Sequence, residues 1–174
     1  FTDAVKQTTD SKAKGFVLDL RNNPGGYLES AVNMGSFMIP FGKTVVIEES
    51  GTGERRDDKA RGGDVLSSIP TVVLINEGSA SASEILAGAL RDDRNNVTLI
   101  GKRSFGKGSV QEFIPTSKDT SVKITVAHWL TPSGKQINKI GISPDIEVDL
   151  TADDIKDGRD PQLEKALETL KSKL

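Results

Sequence analysis

The sequence predicts an α/β fold, a mixed β-sheet flanked by helices. Three observations carry that expectation. Short apolar runs read as buried strands, helical periodicity recurs between them, and two late segments alternate like antiparallel strands. The 174 residues suffice for one domain with a substantial core.

The elements follow in order. Residues 1–12 read as a helix, with Phe1, Ala4 and Val5 on one face. Gly15 to Leu20 is a short apolar run and reads as a buried strand. Arg21-Asn22-Asn23-Pro24-Gly25-Gly26 is dense turn chemistry. Leu28, Ala31, Val32, Met34 and Phe37 space a helix that Pro40 and Gly42 stop. Thr44–Glu48 is a second strand. Residues 50–64 are polar and Gly-rich, a solvated loop or hairpin tip. Ile69 to Asn76 is the strongest buried strand, and a helix follows from Ala82 to Leu90. Val97–Ile100, Ser109–Ile114, Ser121–Leu130 and a short Ile146–Leu150 are further strands. Pro161–Leu174 closes the chain as an amphipathic helix, and no internal repeat is visible.

Composition removes several chemistries. The formal net charge of -2 gives no overall attraction to nucleic acid. No apolar run is long enough to span a membrane. The absence of cysteine excludes disulfides, thiolate zinc sites and cysteine nucleophiles. A single histidine, His128, excludes a multi-histidine metal site. No cofactor or metal is therefore expected. The chain does not begin with Met and shows no signal peptide. Phe1-Thr2-Asp3-Ala4 reads as the middle of a helix, so the expectation is a domain taken from a longer protein.

Two segments carry candidate chemistry. In Asn76-Glu77-Gly78-Ser79-Ala80-Ser81-Ala82-Ser83-Glu84 a buried strand meets a helix through small residues. Such a turn presents a hydroxyl beside free backbone N–H groups, which can stabilise an oxyanion. Ser81-Ala82-Ser83-Glu84 also fits a capping box, and the two roles compete for one hydroxyl. If Ser81 is the nucleophile, Ser79 or water carries more of the capping. Ser83 is the fallback nucleophile. A nucleophilic serine needs a base. His128 lies inside an apparent strand, where a lone histidine is usually structural, so a lysine base is the alternative.

Gly101 to Ser109 supplies that lysine. Glycines flank Lys107 and permit close approach of the backbone. An apolar setting, to which Phe105 can contribute, favours the neutral amine. Strand alternation puts Lys107, Ser109 and Gln111 on one face, so that Gln111 can orient the amine. The same loop nearly matches a phosphate-binding loop. Gly108 stands where Ser or Thr is required, however, and a strand pattern follows where a helix is required.

Four segments together resemble the carboxyl-terminal processing (tail-specific) proteases in order and spacing. They are Leu18 to Gly26, Asn76 to Glu84, Ser104 to Gln111, and Leu130 to Ile137 with Gly141 to Asp145. The resemblance spans roughly residues 10–150. It implies a Clp/crotonase-like protease core, with Ser81 as nucleophile, Lys107 as base and Gln111 beside it. The implied oxyanion hole is the N–H of Ala82 with one from Gly25 or Gly26. The implied reaction is endopeptidase cleavage of proteins near their C-termini through an acyl-enzyme. Lys107 follows Ser81 by 26 positions, one more than the family pattern, and Asp92 to Asn96 is the turn expected to absorb the difference.

The family usually carries a PDZ domain that reads substrate C-termini, and no such segment is visible here. Residues 1–174 are therefore expected to be a catalytic core without its PDZ domain and N-terminal segments. The expected partners are proteins or peptides with apolar C-terminal tails, with an oligomer possible. The expected compartment lies outside the bacterial cytoplasm. Two alternative readings are a non-catalytic binding or assembly module on the same fold and a nucleotide-binding protein using the 101–109 loop.

Overall fold

The computed structural model describes residues 1–174. Its most regular element is β4 (Thr71–Ile75), five residues that are all buried. With both faces covered, such a strand needs no polar alternation. It pairs in parallel with β1 (Phe16–Asp19) on one side and β5 (Val97–Gly101) on the other. The two-residue β8 (Ile146–Glu147) continues the sheet in the order β1-β4-β5-β8.

Helices cover both faces, as parallel sheets require. Val73 and Ile75 face a core shared with Leu86 and Leu90 of α3 (Ala82–Asp93) and Val32 of α2 (Leu28–Ser36). Val72 and Leu74 face the opposite way, against Ala166 and Leu170 of α5 (Pro161–Lys171). This division follows directly from the two-residue period of a strand. Truncating Leu74, fully buried, to Ala would cost about 2–5 kcal/mol. The remaining helices are α1 (Thr2–Asp10) and α4 (Ala152–Lys156).

A second sheet is antiparallel, in the order β3-β2-β7-β6. It comprises β2 (Thr44–Ser50), β3 (Arg55–Lys59), β6 (Ser109–Pro115) and β7 (Ser121–Leu130). Parallel and antiparallel strands with flanking helices are the architecture expected from the sequence. The 50–64 region resolves into a hairpin, because β3 pairs with β2 from Arg55 opposite Glu49 to Lys59 opposite Thr44. Its five residues are all charged, which suits an exposed edge strand. The outer part of the β6–β7 hairpin stands clear of the core, with Phe113, Ile114 and Val122 exposed and Lys123 Nζ 5.6 Å from the Phe113 ring centre.

Candidate active site

The site forms where the ends of β1 and β4 meet the lysine loop. Leaving β4, the chain turns at Asn76–Ala80. Ser79 is fully buried and does not cap α3. Its hydroxyl donates to the Leu20 carbonyl at 2.7 Å and accepts the Asn76 N–H at 3.0 Å. It thereby joins the ends of the two strands. Gly78 is obligatory here, because a Cβ would lie 2.7 Å from Asn22 Oδ1.

Ser81 follows at φ 56°, ψ −119°, a conformation that side chains rarely adopt. Strain of this kind in a non-glycine residue typically costs about 1–3 kcal/mol. Ser81 is the N-cap of α3, placed with Glu84 as a capping box, and Glu84 Oε2 accepts the Ser81 N–H at 2.8 Å. The Ser81 hydroxyl itself makes no capping hydrogen bond. The Glu84 N–H goes instead to the Ser81 carbonyl at 2.9 Å. Ser83 is buried within the first helical turn and its N–H bonds the Ala80 carbonyl.

Glu84 is wholly buried, and sequence reasoning gave it only the cap. Its carboxylate accepts four hydrogen bonds. Oε1 takes the Ser104 hydroxyl at 2.5 Å and the Gly106 N–H at 2.6 Å. Oε2 takes the Lys107 N–H at 2.8 Å in addition to that of Ser81. A buried carboxylate is tolerable only when its lone pairs are met in this way. Ser104 Oγ also accepts the Ile142 N–H at 2.7 Å. The closing segment thus braces the lysine loop from behind. Gly106 and Gly108 pack against residues 137–141, where a side chain on Gly108 would collide with the Asn138 backbone.

Lys107 is exposed, and so is Phe105, at 67%. The apolar enclosure expected for the amine is not provided by these residues. Lys107 precedes β6, and a bulge interrupts the alternation between Val110 and Gln111. The shared face expected for Lys107, Ser109 and Gln111 therefore does not form as a regular strand. Gln111 is exposed and opposes Thr125. The side chains of Ser81, Lys107 and Gln111 form no hydrogen bonds with one another, although the backbones of the first two are held together.

The loop 21–26 closes the other side. A Cβ on Gly25 (φ +95°) would lie 2.5 Å from the Ala80 carbonyl oxygen and 2.8 Å from the Ala82 nitrogen. Around Gly26 the equivalent space is open. The Gly25 N–H donates to Asn23 Oδ1 at 3.0 Å. The N–H groups of Gly26 and Ala82 have no protein acceptor. Beneath the loop, Arg21 donates to Asp19 and, at 2.8 Å through each terminal nitrogen, to Asp160. The Arg21 guanidinium holds the Asp160 carboxyl below its usual range, against the opposing effect of burial. A cavity of about 190 Å³ opens between this loop, α2 and α3, with Leu20, Tyr27, Ala31, Met34 and Leu86 among its walls.

Residues 1–148 match the family described as Peptidase family S41. The chain belongs to peptidase family S41. It is 44% identical over 149 residues to the carboxy-terminal processing protease CtpA of Bacillus subtilis (strain 168), covering 86% of this chain and 32% of that protein. It is 44% identical over 149 residues to the chloroplastic C-terminal processing peptidase of Tetradesmus obliquus, covering 86% and 31%. The solved photosystem II D1 C-terminal processing protease superposes with a TM-score of 0.79 at 41% identity, over 84% of this chain and 38% of that one. The chain spans about a third of the length of the curated relatives it matches. The S41 fold accords with the Clp/crotonase-like core implied by the resemblance.

Within this S41 chain the rival motifs lose ground. The residues after Gly108 form β6, so the 101–109 loop does not open a helix as a phosphate-binding loop must. His128 lies in β7 between Glu49 and Ser109 of the neighbouring strands. The segment expected to be a plain surface turn near Asp92 holds Arg94, which is buried and donates to the Ile69 carbonyl at 2.6 Å. Burial pushes its guanidinium down to about 10.

Proposed function

We propose that this S41 chain is the catalytic core of a serine endopeptidase in which Ser81 is the nucleophile and Lys107 the base. The observation that supports this best is the strained Ser81, its hydroxyl free of capping, tied through Glu84 to the backbone of Lys107. The neutral Lys107 amine takes the Ser81 proton as Oγ attacks the scissile carbonyl. The resulting ammonium gives that proton to the leaving amine as the tetrahedral intermediate collapses to an acyl-enzyme. Water then attacks the ester with the same lysine as base, which frees the acid and restores Ser81. Gln111 is assigned to orienting the amine.

The oxyanion hole is read as the Ala82 N–H with the Gly26 N–H, since both lack protein acceptors. Gly25, whose N–H is engaged by Asn23, serves the close approach of the two loops. The cavity beside Ala82, with Leu20, Met34 and Leu86 in its walls, suits an apolar side chain preceding the scissile bond, and the preference for apolar C-terminal tails is taken from the family resemblance. Residues 1–174 are read as this core alone, with substrate capture by a PDZ domain elsewhere in the protein. The family resemblance supports a location outside the bacterial cytoplasm, and an oligomer is part of the proposal.

The test is hydrolysis of an unstructured protein with an apolar C-terminus, comparing the parent with Ser81→Ala and Lys107→Ala at mildly alkaline pH. Cleavage by the parent and silence of both variants supports the dyad. Cleavage that survives both substitutions overturns it. The exposed, unbonded Lys107 side chain favours one rival, a binding module without chemistry. That rival predicts that the parent binds such tails without cleaving them.

A further inference from the structure

The two halves of the oxyanion hole come from segments more than fifty residues apart, so something must set their distance. One side chain spans both. Asn76 Oδ1 accepts the Asn22 N–H at 2.8 Å from the glycine loop and the Gly78 N–H at 3.0 Å from its own turn. Its Nδ2 donates to Asn22 Oδ1 at 3.0 Å. Backbone N–H groups can only donate, so the two facing Oδ1 fix which end of the amide is oxygen. The nitrogen must then point at Asn22 Oδ1, and the direction of that bond is determined. Beside the pair, the Ala80 N–H donates to the Asn23 carbonyl at 3.0 Å. Asn22 sits at φ +55°, where Asn, Asp and Gly are the residues best tolerated.

We propose that Asn76 and Asn22 form a positioning pair that sets the Gly25–Gly26 backbone against Ser81 and Ala82. This rests on the reading of Ser81 as nucleophile. The pair touches no substrate. It acts by holding a donor where the oxyanion forms, and a displaced donor costs rate steeply.

The bond direction makes the test asymmetric. Asn22→Asp keeps an acceptor for Asn76 Nδ2, whereas adding Asn76→Asp to it sets two carboxylates face to face, with no amide left to turn and donate, while still accepting both backbone N–H groups. Asn22→Gly keeps the backbone conformation and deletes the side-chain bond alone. The experiment measures kcat and KM on one peptide in the active parent protein, together with amide hydrogen exchange of residues 22–26. Asn22→Asp is expected within about threefold of the parent in kcat. Asn22→Gly is expected to fall about tenfold, and the double variant Asn22→Asp/Asn76→Asp about 30- to 100-fold with KM little changed, below the loss for deleting a whole donor. Exchange in 22–26 should speed up in the latter two and not in Asn22→Asp. Parental kcat in the double variant, equal losses in Asn22→Asp and the double variant, or unaltered exchange would each overturn the pairing. Ser81→Ala is the control: if it still cleaves, the assignment of the nucleophile fails, while the exchange data still judge the pair.

Discussion

Ser81 and Lys107 donate their backbone N–H groups to the same atom, Glu84 Oε2, each at 2.8 Å. Glu84 thus holds the loop that carries Lys107 against the turn that carries Ser81. The tie is made entirely of donors facing one carboxylate, so its tolerance of substitution is narrow. Glu84→Gln keeps the volume, but whichever way the amide turns, its NH₂ meets backbone donors. We expect kcat/KM to fall about 100-fold or more and stability by about 2–4 kcal/mol, the range for stranding buried donors. Peptide hydrolysis and denaturant unfolding check both, and a variant with parental activity would sink the idea.

The strain at Ser81 gives an opposite trade. Ser81→Gly removes the hydroxyl assigned as nucleophile, so hydrolysis is expected to stop, yet it relieves the φ 56°, ψ −119° conformation. A gain of about 1 kcal/mol is expected after the added entropy of the unfolded chain, raising the melting temperature by roughly 2–4 °C. Ser81→Ala, still strained, should show no such gain. Calorimetry of the two variants side by side decides the matter.

The adjacent glycines should behave differently. Gly25→Ala forces a Cβ to within 2.5 Å of the Ala80 carbonyl oxygen, and the loop must move away from Ser81. We expect kcat/KM about 100-fold lower or worse. Gly26→Ala meets open space and keeps its N–H, so its loss should stay within about tenfold. Similar losses in both variants would contradict the assignment of separate roles.

Asp160 links acid stability to the glycine loop. Arg21 holds its folded-state carboxyl below the unfolded value, so the stabilisation is fully present above about pH 4. It fades as pH falls through the folded value. Asp160→Asn should lower the unfolding free energy from urea titration at pH 7 by less than about 1 kcal/mol, because the pair is part-exposed and screened. The difference should vanish in strong acid. A gap that persists there would assign the effect to the helix cap that Asp160 also provides through the Leu163 N–H.

Local signals were legible where chemistry and position coincide along the chain. The unbroken apolar run gave β4, and the small-residue turn before a capping box marked the start of α3 at Ser81. The Thr151–Asp154 capping box was an available signal for α4, and it was missed. β3 escaped because Arg55–Lys59 is all charge, and only pairing to β2 makes it a strand. Glu84 escaped for a different reason. Its Ser81 bond is local, but its bonds to Ser104, Gly106 and Lys107 cross twenty or more residues. The bulge between Val110 and Gln111 is likewise a property of pairing with β7, which periodicity in one strand cannot report.

Ser81 emerges from the parallel sheet, whereas Lys107 leads into the antiparallel one. The proposed nucleophile and base therefore lie at a seam between two sheets, riveted by the Glu84 carboxylate and by the Phe105 N–H on the Ser79 carbonyl at 3.0 Å. Loosening either sheet misaligns the reaction without touching a reacting atom. Substitutions in β1 or β4 register on the serine side, and those in β6 or β7 on the lysine side. Each sheet thus offers its own handle on the site, provided those rivets hold.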